Sequence, residues 1–352
     1  MQNADCIHVH PLDFIVPTPI EILALRFSSM GDLILTTPLF RAIKARHPGA
    51  RVTLVTRHEY VPLFAHSPRI ARVIGWDQRT PLRELARELR ETRWTHRLDL
   101  HGSLRSMILR RLVGGPWTGY PKRRLERAVL IRTKRDIYRD RRPVAERYFD
   151  AARELDVASD GGPPEVFVSM ESSARADEFL RENRLGNERT LVALVPGAAH
   201  ATKEWPEHHW ITLVALVAEQ RVDLVILGGT KEAGLGARLA AIAGPHAASA
   251  AGHFDIGGTA AVLKRARCAI AGDTGVMHLA TAVGTPVVAL LGPTVGAFGF
   301  LPYHARATVL ERDLPCRPCT KMGGPVCPLG HHHCLELITP AEVSDALRRL
   351  PQ

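Results

Sequence analysis

Short apolar runs alternate with longer stretches whose apolar residues recur at helical spacing along the first half of the chain. Runs of this length that end at glycine, proline or polar residues are typical of buried parallel strands. The alternation predicts a parallel sheet with helices on both faces. The predicted strands are residues 21–27, 51–56, 73–75 and 96–100, and the predicted helices are residues 33–47, 81–92 and 144–155.

A turn-rich segment, residues 156–164 (DVASDGGPP), interrupts this alternation, which then restarts. We therefore predict an α/β protein of two Rossmann-like, doubly wound domains that face a cleft, residues 1–160 and residues 161–352. In such sheets ligands bind beyond the carboxyl ends of the strands. The second half has predicted strands at 191–195, 222–227, 268–271 and 286–291, and helices at 206–219, 231–243, 259–266, 276–283 and 340–350, the last capped by Thr339.

Polar loops rich in glycine follow several of these strands. Asp273, Thr274 and Gly275 lie between the strand at 268–271 and the next helix. A helix N-terminus has unpaired N–H groups and a partial positive charge, which favour a phosphate. Glycine allows close approach of the backbone, and the aspartate is an acceptor for a ribose hydroxyl. The alternative is that these residues form an ordinary helix cap.

Three further loops carry charged residues at predicted helix starts. Lys203 follows the Pro196-Gly197 loop and suits a diphosphate, although a surface lysine is the alternative. Glu232 follows the next strand, where it either accepts from a ribose or base edge or stabilises the first helical turn. Asp32 follows Gly31 and is either a helix cap or a general base, and the residues alone leave both interpretations open.

The net charge of +10 is concentrated, because fourteen Lys and Arg residues lie between positions 105 and 147. Such a patch attracts nucleic acid, acidic lipid headgroups or a phosphorylated glycan, unless it is only a solvated surface. No helix-turn-helix or aromatic-basic RNA signature accompanies it, so we expect no nucleic-acid partner. No apolar run reaches bilayer-spanning length, and the first twenty residues do not resemble a signal peptide. We therefore expect a cytoplasmic protein.

Four cysteines lie within nineteen residues near the C-terminus, next to a run of three histidines, residues 331–333. Four soft ligands at short spacing suit a structural zinc or iron ion, and a reducing cytoplasm disfavours disulfides. The alternatives are four reduced thiols in a compact loop, and a histidine run that lies near the acceptor instead. The predicted ligands are Cys316, Cys319, Cys327 and Cys334.

Three stretches together resemble glycosyltransferase family 9, the ADP-heptose:lipopolysaccharide heptosyltransferases. They are residues 26–48 (RFSSMGDLILTTPLFRAIKARHP), residues 196–206 (PGAAHATKEWP) and residues 271–294 (AGDTGVMHLATAVGTPVVALLGPT), in the order of the family. The resemblance runs from about residue 21 to the end. It implies a GT-B architecture, with the donor in the C-terminal domain, the acceptor mainly in the N-terminal domain, and inverting transfer that requires no metal or cofactor.

By position in these motifs, Asp32 matches the general base of the family and Lys203 matches the lysine at the donor phosphates. Glu232 matches an acid near the adenosine. The related protein heptosyltransferases carry a cysteine-bound iron. The resemblance further implies substrate-binding positions at Ser29, Gly31, Pro196, Gly197, Thr202, Asp273, Thr274, Gly275 and His278.

The resemblance also implies the partners of the protein. They are an ADP-heptose donor, an anionic lipopolysaccharide-core acceptor, and peripheral contact with the cytoplasmic face of the inner membrane. Two alternatives are a protein O-heptosyltransferase that acts on an adhesin-like protein, and a non-catalytic nucleotide-sugar-binding protein. The joint presence of Asp32, Lys203 and Asp273 favours an enzyme over the second alternative.

Overall fold

The N-terminal half contains one parallel sheet of five strands between helical layers. In this computed structural model, which describes residues 19–350, the elements follow one another from β1 to α6. They are β1 (Glu21–Leu25), α1 (Met30–Ile34), α2 (Thr37–Arg46), β2 (Arg51–Arg57), β3 (Arg72–Trp76), α3 (Leu82–Arg90), β4 (His96–Asp99), α4 (Leu104–Val113), β5 (Thr118–Gly119), α5 (Arg124–Thr133) and α6 (Val144–Arg147). The strand order is β3-β2-β1-β4-β5.

The C-terminal half contains a second parallel sheet, of six strands. Its elements are α7 (Met170–Glu182), β6 (Thr190–Val195), α8 (Glu207–Ala218), β7 (Val222–Ile226), α9 (Ala233–Ala243), β8 (Ala247–Ser249), α10 (Ile256–Arg265), β9 (Cys268–Gly272), α11 (Gly275–Ala282), β10 (Val287–Leu291), β11 (Ala307–Glu311), α12 (His333–Glu336) and α13 (Pro340–Arg349). The strand order is β11-β10-β9-β6-β7-β8. Among residues 19–350, no helix combines the length and the apolar character that crossing a bilayer requires.

Both sheets are covered on two faces, which explains why their inner strands β1, β6, β9 and β10 are almost entirely apolar. In β1 the even-numbered Ile22 and Ala24 face one core, while Leu23 and Leu25 face a second core with α3 and α4. The period-2 alternation of a strand produces this division. The prediction of an α/β protein with two doubly wound parallel sheets is confirmed.

The strand order fixes where ligands can bind. Each sheet reverses its direction of winding between two adjacent strands, β1 and β4 in the first sheet and β6 and β9 in the second. Crevices for ligands open at the carboxyl ends of the strands at such switch points. The loops that follow β1, β4, β6 and β9 are therefore the places where functional side chains should gather.

Two of the predicted helices differ from the observed ones in continuity or in helix type. The predicted helix 33–47 is two helices, α1 and α2. The break follows because Pro38, in the first turn of α2, has no N–H to continue the hydrogen bonds of α1, and the Thr36 hydroxyl donates back to the Leu33 carbonyl at 2.6 Å. The predicted helix 144–155 continues beyond α6 as a 3₁₀ helix, Tyr148–Leu155. Thr339 caps α13 as expected, accepting from the Glu342 N–H at 3.3 Å. The elements α4, α5, α7, α12, β5, β8 and β11 were not expected.

The domain boundary at residue 160 stays a prediction. Arg41 of α2 holds Asp160 through two hydrogen bonds of 2.6 and 2.7 Å, so the end of the turn-rich segment is fixed to the N-terminal half. The part of the first predicted domain before residue 19, which includes Cys6, lies outside the described residues.

Asp99, at the end of β4, organises the loop that leads into α4. Its buried carboxylate accepts from the N–H groups of His101 at 2.9 Å and Gly102 at 2.7 Å, and from the Ser106 hydroxyl at 3.1 Å. We expect Asp99→Ala to lower the free energy of unfolding by roughly 2–3 kcal/mol, because it leaves buried donors without an acceptor.

Urea unfolding measures this change. Asp313→Ala is the matched control, because Asp313 is exposed and makes no side-chain hydrogen bond or ion pair within residues 19–350. A control change within about 0.5 kcal/mol is expected for such a surface site. Equal midpoints and slopes for wild type and Asp99→Ala would contradict the assigned role.

Candidate active site

A cavity of about 900 Å³ separates the two halves of the molecule and is lined from both sides. The loops after β1, β4, β6 and β9 form part of its walls, as the switch points require, and segments after β5, β7 and β10 add to them. The N-terminal half contributes Arg26, Ser29, Gly31, Asp32, His101, Lys122, Arg124 and Arg127. The C-terminal half contributes Gly197, Lys203, Glu232, Asp273, Thr274, Gly275, His278, Thr294 and Lys321.

Two glycines allow helices of the opposite halves to approach closely beside this cavity. A Cβ atom on Gly31 of α1 would lie 2.6 Å from the Cδ2 atom of His278 on α11. A Cβ atom on Gly275 of α11 would lie 2.5 Å from the Cε atom of Met30 on α1. Such distances are far shorter than ordinary carbon contacts, so larger side chains at either position would force the helices apart.

The side chain of Asp32 is held by two neighbours of its own half. Its Oδ1 atom lies 2.5 Å from a terminal nitrogen of Arg26, whose side chain is only 5% exposed. Its Oδ2 atom accepts from the Ser29 hydroxyl at 2.7 Å. The Arg26 guanidinium also donates to the Tyr120 hydroxyl at 3.2 Å and to the carbonyl of Leu100. Asp32 is thus fixed in orientation rather than free at the surface.

The ionisation of Asp32 follows from these contacts. Burial alone raises the pKa of a carboxyl group, but the positive charge of Arg26 and the hydrogen bonds from Ser29 outweigh it, so the pKa of Asp32 lies below its usual value. The Arg26 pKa is raised in turn by the Asp32 carboxylate, even though burial opposes this shift. Asp32 is therefore a carboxylate at neutral pH and can accept a proton.

On the opposite wall, Lys203 lies next to the loop that opens α11. Its Nζ atom donates to the Asp273 carboxylate at 2.6 Å and to the Asp273 carbonyl at 3.1 Å. The Thr294 hydroxyl donates to the same carboxylate oxygen at 2.6 Å. An ammonium group has three donors, so one remains for a ligand in the cavity.

The α11 helix begins beside this lysine, and its cap is Thr274 rather than Asp273. The Thr274 hydroxyl oxygen accepts from the Met277 N–H at 3.4 Å, while the Asp273 side chain is engaged by Lys203 and Thr294. The other first-turn N–H groups of α11 stay available at the cavity wall. An ammonium and a helix N-terminus thus lie together, an arrangement that favours an anionic ligand.

His278 is buried between the two halves. Burial lowers the pKa of this imidazole, although Asp273 and Asp32 raise it, so the ring is neutral at physiological pH. Its Nδ1 atom has no hydrogen-bond partner among the described residues. A neutral ring with an unused nitrogen can donate to or accept from a polar ligand group.

Glu232 lies over the glycine-rich loops that follow β6 and β7. Its carboxylate accepts from the Gly229 N–H at 2.7 Å. A Cβ atom on Gly197 would lie 2.5 Å from the Glu232 side chain, and one on Gly228 would lie 2.7 Å from it. These glycines provide the space that the glutamate occupies, so Glu232 is placed at the cavity by packing as well as by hydrogen bonding.

The basic segment 105–147 divides into paired and unpaired cations. Arg123, Arg141 and Arg142 form ion pairs with acids of the same segment and act as structural residues. Five other cations line the cavity and have no acidic partner within residues 19–350. One of them, Arg147, is buried and donates to the Phe298 carbonyl at 2.6 Å. We call the other four the cavity cations. They are Lys122, Arg124, Arg127 and, from the cysteine-bearing segment 316–334, Lys321.

Burial and the closeness of other cations lower the pKa values of the two lysines among the cavity cations. Burial and the charges of Arg26 and Arg124 lower the pKa of Lys122 to about 8. Burial, together with Arg127 and Arg124, also lowers the pKa of Lys321. Like charges held together without a counter-charge favour an incoming anion.

The structure brings most of the predicted site residues to one cavity but leaves two outside its lining. Pro196 is absent from the cavity wall, and the Thr202 hydroxyl instead exchanges hydrogen bonds of 3.1 and 2.8 Å with Gly324 of the cysteine-bearing segment. Sequence reasoning did not single out Arg26 or Lys321. A charged residue in an otherwise apolar strand is the signal that could have identified Arg26.

The four cysteines of this segment do not form a preassembled metal site. Across residues 19–350, the only group of three or more possible ligands within 4.8 Å of one another is His208, His209 and Glu336. Burial raises the pKa of Cys319, and it raises that of Cys334 to about 11, so these thiols are protonated at neutral pH. The negative charges of the neighbouring cysteines also contribute to these raised pKa values, so the four thiols lie near one another, and a structural ion at them stays a prediction.

Comparison with known proteins identifies the family. The family model described as glycosyltransferase family 9 (heptosyltransferase) matches residues 82–329. Lipopolysaccharide heptosyltransferase 1 of Pseudomonas aeruginosa is 29% identical over 331 residues, which cover 86% of each chain. Lipopolysaccharide heptosyltransferase 2 of Salmonella typhimurium is 27% identical over 347 residues, covering 94% of this chain and 98% of the relative.

Solved structures show the same architecture. A glycosyltransferase family 9 protein from Veillonella parvula has a TM-score of 0.78 at 23% identity, covering 94% of this chain and 97% of that one. The E. coli heptosyltransferase WaaC with ADP has a TM-score of 0.70 at 21% identity, covering 94% and 100%. Two Rossmann-like sheets that face a cleft define the GT-B class. Within this class the chain belongs to glycosyltransferase family 9, as its motifs indicated, and it is a glycosyltransferase.

The close approach of α1 and α11 can be tested directly. We expect Gly31→Ala to lower the free energy of unfolding by about 1–3 kcal/mol, because the new methyl group overlaps the buried His278 ring. Thermal or urea unfolding measures the change. Gly49→Ala is the control, since no atom lies within 4 Å of its added methyl group. Equal effects of the two substitutions would show that α1 and α11 are not in close contact.

Proposed function

We propose that the protein is an inverting glycosyltransferase that moves a heptose from ADP-heptose to an anionic lipopolysaccharide-core acceptor. The observation that carries this proposal is the placement of Asp32 in the same cavity as Lys203 and the start of α11, but on the opposite wall. The names of the relatives, lipopolysaccharide heptosyltransferases 1 and 2, support the choice of sugar and acceptor.

In the proposed reaction Asp32 acts as the base. It accepts the proton of the acceptor hydroxyl while that oxygen attacks the anomeric carbon of the donor from the side opposite the diphosphate. The bond between this carbon and the diphosphate oxygen breaks, and its electron pair leaves with ADP. The configuration at the anomeric carbon is therefore inverted in one displacement.

The negative charge that develops on ADP requires stabilisation on the other wall. The remaining Lys203 donor and the N–H groups at Thr274 and Gly275 are suited to the departing phosphates. Glu232 and His278 offer polar contacts to the rest of the donor. The proposed step uses only these protein groups and needs no metal or other cofactor.

We assign the anionic acceptor to the side of the cavity cations. Lys122, Arg124 and Arg127 come from the N-terminal half, on the same side as Asp32, so an acceptor bound there presents its hydroxyl to the base. Phosphate or carboxylate groups of the acceptor supply the counter-charge that these residues lack. As part of the same proposal, an enzyme that acts on such an acceptor works at the cytoplasmic face of the inner membrane.

The four cysteines take no part in this reaction. A structural zinc or iron ion at Cys316, Cys319, Cys327 and Cys334 stays a prediction of the sequence, and binding an ion would require the thiols to move closer together than in this structure.

The activity is tested by supplying ADP-heptose together with a heptose-deficient lipopolysaccharide core and measuring ADP release. We expect release that depends on the core acceptor, with label transferred to lipid. Asp32→Asn should lower turnover by about 100-fold or more, because the amide cannot take the proton. Its affinity for ADP should stay unchanged, since Asp32 lies on the acceptor side.

Asp313→Asn, a similar change at an exposed position, is the control for the Asp32 variant. Wild-type turnover in Asp32→Asn would remove this residue from the role of base. Failure of wild type to transfer to any core acceptor, or transfer to protein instead of lipid, would contradict the proposed function.

The dependence of activity on pH tests the role of Arg26. Activity is lost as the pH falls through the pKa of the base, and in the wild type this pKa lies below the usual value of an aspartate. In Arg26→Met the charge that lowers the pKa is gone while burial remains, so the acidic limb of kcat/KM should move to higher pH.

The matched control for this pH profile is Lys264→Met, which removes an exposed cation on α10, away from the cavity lining. Its acidic limb should coincide with that of the wild type. Coincidence of the Arg26→Met profile with the wild-type profile would show that Arg26 does not control the ionisation of the base.

A further inference from the structure

Helix α4 carries apolar side chains on two faces. Leu109 is fully buried in the core, with Leu112 and Val113 packed beside it, whereas a second set of apolar side chains faces solvent. Leu104, Met107 and Ile108 are 69%, 46% and 43% exposed, and their spacing places them on one face of the helix. The small polar Ser106 is instead fully buried, with its hydroxyl bonded to Asp99. A surface helix usually places its apolar residues against the core alone, so the additional, exposed apolar set on α4 is unusual.

The start of α5 extends the same apolar surface. Leu125 is 71% exposed. Arg124, its neighbour, donates to the carbonyl of Gly102, two residues before α4 begins, so the N-termini of the two helices lie side by side. We name the four residues Leu104, Met107, Ile108 and Leu125 the apolar crest.

Cations flank the apolar crest and lack acidic partners. Arg105 contacts only the Gln78 side chain, at 3.0 Å, and Arg111 and Arg124 are exposed. Within residues 19–350 none of these three arginines forms an ion pair with an acid. Exposed apolar side chains ringed by free cations are the features by which peripheral proteins bind anionic membranes.

We propose that the apolar crest and its flanking arginines dock the protein on a bilayer that contains anionic phospholipids. The apolar side chains enter the boundary between headgroups and acyl chains, while the guanidinium groups meet lipid phosphates. A second copy of the chain fits this face less well, because a two-fold contact through the crest would bring like-charged arginines together.

The position of the apolar crest next to the cavity connects membrane docking with access to the acceptor side. Gly102 and Ser103 line the cavity, and α4 starts at the next residue, so the crest lies at the rim of the acceptor side. A docked molecule therefore opens this side of its cavity toward the membrane surface. That docking helps a lipid-linked acceptor to enter the cavity rests on the proposed function. Binding of the protein to vesicles does not depend on that function.

Vesicle binding tests the proposal. The full-length protein is sedimented with vesicles of phosphatidylcholine alone, or of phosphatidylcholine mixed with phosphatidylglycerol. We expect binding to the anionic vesicles that weakens with salt, and little binding to the neutral ones. The double variant Leu104→Ser with Leu125→Ser should bind about tenfold or more weakly, since two leucine side chains no longer enter the bilayer.

Matched substitutions separate docking from a general loss of apolar surface. Met107→Ser should weaken vesicle binding, whereas Met170→Ser, at a 90% exposed position on α7, should not. Arg105→Gln with Arg111→Gln should reduce both the affinity for anionic vesicles and its dependence on salt. Unchanged melting temperatures in these variants would show that the fold is intact.

Two results would overturn the proposal. One is equal vesicle binding by wild type and the double leucine variant. The other is a wild-type dimer in solution that dissociates in that variant while neither protein binds vesicles, which would make the crest a subunit interface.

Activity assays keep this proposal separate from the proposed function. The leucine variant should match wild type on a soluble, deacylated core acceptor and fall below it on an acceptor carried in vesicles. Vesicle binding without transfer would refute the function and leave the docking intact, and transfer without vesicle binding would do the reverse.

Discussion

The contact between α1 and α11 is the constraint on which the site depends. Each helix carries a glycine where the other half of the molecule approaches, Gly31 against His278 and Gly275 against Met30. Side chains at these positions would separate the halves and widen the cavity. Because the two helices approach so closely, their N-terminal ends lie on either side of one ligand-sized cavity. Asp32 belongs to the first turn of α1, and the N-terminus of α11 lies across the cavity from it.

Cations outnumber carboxylates in the lining of the cavity, and this excess of positive charge suits the proposed chemistry. Asp32 faces several cations, and Arg26 keeps it ionised despite burial. The same charge that keeps the carboxylate ready makes it a weaker base, so the proposed reaction relies on the departure of a well-stabilised diphosphate as much as on proton removal. The ionisation of Asp32 thus depends on the cations around it, and these charged groups belong to the cavity rather than to the solvated surface.

The sequence was sufficient to predict eight of the eleven strands and the loops at the switch points, because buried parallel strands and glycine-rich turns have strong local signals. The short strands β5 and β8 and the half-buried edge strand β11 lack such a signal. Asp32, Lys203 and Asp273 lie on these loops, and the structure brings them to one cavity, while their roles stay predictions. Arg26 and Lys321 were not identified, since their importance arises from contacts with residues distant in sequence. The helices α4 and α5 were missed because α4 carries apolar residues on an exposed face as well as on its core face, and both helices are dense in arginine. Together these features obscure the pattern of a core-facing helix.

The bonding of Lys203 to Asp273 has a consequence for how tightly a donor can be held. With two of its donors engaged and Thr294 fixing the carboxylate, the ammonium already occupies a defined position before any nucleotide arrives. A long, flexible side chain that is ordered in advance loses little conformational entropy when a ligand binds, and it needs no reorganisation as charge develops. The aspartate in this loop therefore acts as a preorganising anchor for its neighbour.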